Sequence, residues 1–157
     1  MAIDAGAITV VVPTQAATSA NPETAGAITL STAAVKGGFQ VVEECDIFEV
    51  GIVVTTALTV SAIVMAVERA TVTGTGATFS ALTQSNGQTI TLTSPTAAVA
   101  IGTQIIKRGF NVHLNKGDCI RFNVTTAPTA GAGYIYAKLC PTGESASAAA
   151  DQLISST

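Results

Sequence analysis

The chain is 157 residues long, which suits one domain with a sizeable core and leaves little room for a second. Its apolar share of 48% is made largely of Ala and Val, with five Phe, two Tyr and no Trp, so the core is thin and neighbouring chains are expected to cover the remaining apolar surface. Charged residues make up 11% against about a quarter in an average soluble domain, and a net charge of −3 speaks against a nucleic-acid partner. The acids gather at Glu43, Glu44, Asp46 and Glu49, and five of the seven bases lie between Lys107 and Lys138.

Residues 1–35 read as an extended N-terminal arm. Ala5 to Thr9 and Ala25 to Thr29 both spell AGAIT, and each opens a strand-like run, Ile8 to Val12 and Ile28 to Leu30, separated by a loop of Pro, Thr, Ser and Asn. The arm is expected to contribute little to the fold and to hold a partner by strand addition, through Ile8, Val10, Val12, Ile28 and Leu30. The start, MAIDAGAITVVVP, lacks the basic residues and long apolar stretch of a signal peptide, and no run reaches the roughly 18 apolar residues of a membrane-spanning helix. The expectation is synthesis in the cytoplasm and no membrane partner.

The body, residues 36–142, begins at Lys36-Gly37-Gly38. Strands are predicted over Phe39 to Val42, Cys45 to Thr56 with Gly51 at a bulge, and Leu58 to Thr71. Ser61 to Arg69 has helical propensity, but its Thr and Val flanks favour strand. Gly74 to Ala77 reads as a turn. Thr78 to Leu82 and Gln88 to Thr93 form strands around Ser85-Asn86-Gly87, whose Asn-Gly pair is a strong hairpin signal. Ile101 to Lys107 precedes the sharpest segment, Phe110 to Leu139.

In that segment Phe110, Val112 and Leu114 alternate with Asn111, His113 and Asn115, which is the period of a half-buried strand. After the turn Asn115-Lys116-Gly117-Asp118, Ile120, Phe122 and Val124 alternate with Arg121, Asn123 and Thr125. Beyond a loop from Pro128 to Gly133, Tyr134, Tyr136 and Lys138 alternate with Ile135, Ala137 and Leu139. Residues 143–157 read as a C-terminal tail with a short helix over Ser145 to Leu153 as an option. Eight or nine short strands and at most one helix give an all-β chain: an antiparallel β-sandwich, jelly-roll-like, with an extended N-terminal arm.

Residues with chemistry are few. His113 is the only histidine, and its alternation places it on a polar or interface face rather than in a nucleophilic pair. The acidic group Glu43, Glu44, Asp46 and Glu49 matches no calcium loop with alternating ligands and a turn glycine, so it reads as a solvated or interface-facing edge. Gly74-Thr75-Gly76 lacks the third glycine of a dinucleotide fingerprint, and Asn123-Val124-Thr125 has only the form of a glycosylation acceptor. Cys45, Cys119 and Cys140 lack metal-site spacing, and Cys119 and Cys140 read as small core residues. No catalytic residue, cofactor or metal is expected, and the chain does not read as an enzyme.

Leu114, Lys116-Gly117-Asp118, Ile120 to Ala127, Gly131 to Gly133 and Tyr134 to Leu139 together resemble the late strands of jelly-roll domains in tailed-phage capsid decoration (cement) proteins. Tumour-necrosis-factor-like and complement-like jelly rolls carry a comparable Gly-Asp turn. The phage resemblance implies a virion structural protein on the outer capsid surface, a homotrimer that clamps the major capsid protein and stabilises the shell. The expected contact residues then include Arg121, Tyr134 and Tyr136 beside those of the arm and the acidic edge. The alternative is a receptor- or carbohydrate-binding jelly-roll module of a tail fibre or cell surface.

Overall fold

The computed structural model describes residues 7–12, 27–71 and 77–141. They form ten strands: β1 (Ile8–Val11), β2 (Ile28–Thr29), β3 (Ala34–Gln40), β4 (Cys45–Thr59), β5 (Val64–Thr71), β6 (Ser80–Ala81), β7 (Thr91–Thr93), β8 (Gln104–Leu114), β9 (Asp118–Thr126) and β10 (Ala130–Pro141). No helix occurs among the described residues. The expected turn at Gly74 and the tail from residue 143 lie largely or wholly outside them.

Two antiparallel five-stranded sheets pack face to face. The first has the order β1-β10-β4-β8, with β2 also on β10, and the second has the order β3-β9-β5-β6, with β7 also on β5. With β2 and β7 set aside, the first sheet takes the first, eighth, third and sixth of eight strands, and the second takes the second, seventh, fourth and fifth. That is the strand order of a jelly roll, as the sequence pattern predicts. Between the sheets, Ile47, Val50, Ile52 and Ile135 of the first meet Met65, Val67, Ile120 and Phe122 of the second, all fully buried.

The described part of residues 1–35 is built into this sandwich. β1 pairs with β10 from Ile8 opposite Leu139 to Val11 opposite Tyr136, and β2 pairs with the same strand at Ala132 and Gly133. Val12, Ile28 and Leu30 are buried in the core, so their side chains hold the two sheets together and are not surface contacts. β3 begins at Ala34 and runs through residue 35 without a break.

Other differences have local causes. β4 continues to Thr59 because Leu58 is itself a core residue, bridged to Val99, and β5 starts only at Val64 after a bend at the exposed Val60. Gly51 sits in regular register between Tyr136 and Ile106. The β4 bulge lies at Phe48, where the register on β10 slips between Lys138 and Leu139. Ile105 to Leu114 is one strand, not two, bulged at Gly109, whose φ is 83°. Cys45 is the buried cysteine. Cys119 takes the opposite parity to Ile120 and is half-buried, while Cys140 points outward, so neither is a core residue.

One polar group ties the sheets together. Asp118, 1% exposed, accepts the Asn115 amide at 2.7 Å, closing the β8–β9 turn, and the Thr71 hydroxyl at 3.3 Å. Arg69 of β5 pairs with it at 2.5 Å and donates to the His113 carbonyl of β8 at 3.1 Å. Removing one partner of a buried pair leaves a desolvated charge, so Arg69→Met is expected to lower the unfolding free energy by about 3–5 kcal/mol. Urea denaturation checks this, and an unchanged midpoint would show that the pair does not tie the sheets.

Gly117 in that turn has φ 92°, and a Cβ there would meet nothing within 4 Å. The penalty of a side chain is therefore purely one of backbone, and Gly117→Val should cost about 1–3 kcal/mol. Thermal unfolding indistinguishable from wild type would refute it.

Candidate functional site

The outer face of the first sheet carries a built arrangement that follows from register alone. Across β1, β10, β4 and β8 one row reads Thr9, Lys138, Glu49, Arg108, and the next reads Val11, Tyr136, Gly51, Ile106. A third row holds Tyr134, Val53 and Gln104. Side chains directly opposite one another on one face are in contact range, so a carboxylate is flanked by two cations above a glycine flanked by apolar groups.

Gly51 leaves a gap that the Tyr136 ring fills. A Cβ at Gly51 would lie 2.5 Å from the ring's Cζ and its hydroxyl oxygen, so any other residue would displace the tyrosine. Folded over the glycine, Tyr136 donates its hydroxyl hydrogen to Glu49 Oε1 at 3.0 Å. Lys138 Nζ lies 3.4 Å from the same oxygen and Arg108 Nε 3.6 Å from Oε2. Glu49 is thus only 6% exposed although its strand faces solvent on that side. Burial, and then the neighbouring carboxylate, push the Tyr136 hydroxyl up to about 12.

These residues line a shallow groove of about 540 Å³ with Val11, Val53 and Ile106 in its apolar floor. Arg108 and Lys138 stand on its rim, their side chains 66% and 40% exposed. A second hollow, about 650 Å³, opens at the edge of the sandwich under β1 and the β3–β4 loop, with Ile8, Val10, Phe39 and Leu139 in its wall.

The expected contact residues divide among these places. Tyr134 and Tyr136 share the outer-face groove. Ile8, half exposed, and Val10 line the edge hollow with Glu43 and Glu44, which are exposed in the β3–β4 loop. Asp46 is half-buried on the outer face, where Asn111 Nδ2 donates to its Oδ2 at 3.1 Å and His113 Nδ1 lies 3.0 Å from its Oδ1. Arg121 is on the far side of the molecule. It pairs with Glu68 at 2.5 Å and lies 3.9 Å from the centre of the Phe79 ring. Burial would raise the Glu68 carboxyl, but Asn123 and Arg121 hold it below the usual carboxylate range. Arg121 thereby braces the second sheet.

Arg108 and Gln104 are not singled out by sequence pattern, Lys138 enters only through the alternation of its strand, and Glu49 only as a member of the acidic group. The available signal was parity: Glu49, Gly51 and Val53, then Gln104, Ile106 and Arg108, then Tyr134, Tyr136 and Lys138, are each spaced by two. Register, which joins the three sets, is not written in any one strand. No group of three or more metal-ligating side chains occurs among the described residues, and no described helix is long and apolar enough to cross a membrane. Comparison with protein families, with curated proteins and with solved structures finds no match.

The raised Tyr136 hydroxyl fixes the sign of a pH effect. Between its ordinary value near 10 and about 12, the unfolded chain loses the proton while the folded one keeps it. The stabilisation is complete below pH 10 and declines as pH rises toward 12, by up to about 1.4 kcal/mol per unit. Tyr136→Phe should cost about 1 kcal/mol at pH 8 through the lost hydrogen bond and flatten this alkaline decline. Parallel alkaline unfolding curves for the two proteins would rule this out.

Proposed function

We propose that this chain is a virion structural protein, a capsid decoration or cement protein that binds the outer surface of a phage capsid as a homotrimer and stabilises the shell. The observation that carries the reading is the jelly-roll strand order combined with a weakly charged surface that exposes apolar side chains. Ile8 and Val11 on edge strand β1, Val35 on edge strand β3 and Val42 in a loop are each about half exposed or more. Jelly rolls recur in viral capsid and lectin domains. Exposed apolar residues on edge strands suit extensive contact with other chains. Stabilisation of the shell would follow from mass action, since a protein that binds only the intact lattice adds about 2.7 kcal/mol per site at one hundred times its dissociation constant.

The receptor- or carbohydrate-binding reading has one observation in its favour, the groove that places Tyr134 and Tyr136 beside Arg108, Lys138 and Gln104. Cosedimentation separates the two. Purified protein mixed with shells lacking it should pellet with them saturably and raise their disruption temperature. Protein that stays in the supernatant at tens of micromolar, yet binds glycans, would favour the second reading.

A further inference from the structure

The β3–β4 loop and the outer-face groove are complementary. The loop has three residues, Val42, Glu43 and Glu44, between Val41 and Cys45, which are both buried. Its base is fixed to the β8–β9 turn, because the Val41 amide donates to the Asp118 carbonyl and the Gly117 amide to the Val41 carbonyl, both at 2.8 Å. What projects is an apolar tip beside two exposed carboxylates. Val42 is 79% exposed, more than Ile101 or Val60.

The groove presents the opposite features. Its floor is Val11, Val53, Ile106 and the tyrosine rings, and its rim is Arg108 and Lys138. Counting Glu49 with these two cations leaves +2 − 1 = +1 at the groove, and counting Lys116, which lines the hollow beside the loop, with the two carboxylates leaves −2 + 1 = −1 at the loop. Arg108 meets Glu49 only through Nε at 3.6 Å, beyond ordinary hydrogen-bond length, so its guanidinium can take a second carboxylate.

The two features are set apart along β4 within one molecule. From Glu44, next to Cys45 where β4 begins, five residues of extended chain lead to the Glu49 row that holds the two cations and seven lead to Gly51 in the groove floor, roughly 15 and 20 Å away. Resting on the self-association proposed above, we infer that the Val42-Glu43-Glu44 loop of one copy seats in the Tyr134–Tyr136 groove of a second copy. Val42 covers the apolar floor, while Glu43 and Glu44 reach Arg108 and Lys138. Because the contact joins two different patches, it is head to tail, and such contacts close into rings or propagate. Three copies per ring would give the homotrimer.

The test uses full-length protein at micromolar concentration, with mass read by light scattering and folding by circular dichroism. Glu43→Lys/Glu44→Lys and, separately, Arg108→Glu should each weaken association at least tenfold, and high salt should weaken that of the wild type. Combining the three substitutions in one chain reverses both sides of the contact and should restore the wild-type mass. If Arg108→Glu fails to fold beside Glu49, Arg108→Gln replaces it, with the loop variant as the independent measurement. A loop variant that keeps the wild-type oligomer would overturn this contact while leaving self-association intact. A wild-type monomer would overturn both, and shell cosedimentation would still report on capsid binding separately. A hexuronic-acid oligosaccharide that binds wild type but not the Arg108 variant, with the oligomer unaffected by the loop substitutions, would reassign the groove to a sugar.

Discussion

A sandwich of two sheets needs something that fixes one sheet relative to the other, because apolar packing is non-directional and tolerates sliding. Here that constraint is the Asp118–Arg69 pair. Arg69 comes from the second sheet, yet it donates to the His113 carbonyl of the first, and Asp118 closes the turn through which the chain crosses between them. Buried ion pairs are weak sources of net stability, but they are demanding about geometry. The same turn carries the β3–β4 loop, through the backbone bonds between Val41 and residues 117 and 118. One carboxylate therefore positions two corners of the fold, and a slip of the sheets would unmake both.

The outer face of the first sheet shows how little chemistry a chain with 11% charged residues needs to build a shaped surface. Glu49 would be costly to bury alone, and it accepts a hydrogen bond from a hydroxyl and is offset by two cations, all drawn from neighbouring strands. Tyr136 reaches it only because residue 51 has no side chain. A glycine in the interior of a long central strand costs stability by propensity. The ring that covers it restores apolar contact, so the cost is offset within the same row.

Much of the fold was legible in the sequence where a strand keeps strict alternation. Phe110, Val112 and Leu114, and then Ile120, Phe122 and Val124, are buried as their period requires, and the Asn115 to Asp118 turn has its glycine at φ 92°. The turn at Asn86-Gly87 also forms, closed by the Gly87 amide donating to the Gln84 carbonyl at 2.9 Å and by a Thr83–Thr89 bridge. Its flanking strands, however, shorten to β6 and β7, which each pair with β5 and not with one another. What could not be read was anything that depends on non-local pairing. Nothing in GAIT indicates that the run at Ile28 completes β10 while Leu30 disappears into the core. Cys140 looked like a core residue because its strand was recognised, but its parity relative to Leu139 decides otherwise. Of the groove, Tyr134 and Tyr136 are expected contact residues, although Tyr136 is buried by folding over Gly51, whereas Glu49 is grouped with Glu43, Glu44 and Asp46 by proximity along the chain.

The parity of β4 explains that last misgrouping and shows what made the surface. Cys45 and Ile47 point inward, and so do Val50, Ile52 and Val54, which have the opposite parity. The switch is the extra residue at Phe48, and without it Glu49, Gly51 and Val53 would face the core. β8 makes the matching switch at Gly109, so that Arg108 faces out while Phe110 faces in. The carboxylate row sits directly beside both irregularities. A strictly regular sheet would have directed an acid into the interior at this point, and the chain would have needed a different sequence to fold at all. The bulges are therefore the devices that convert a repetitive scaffold into one with a particular outer face, and they couple the identity of that face to the integrity of the core beneath it.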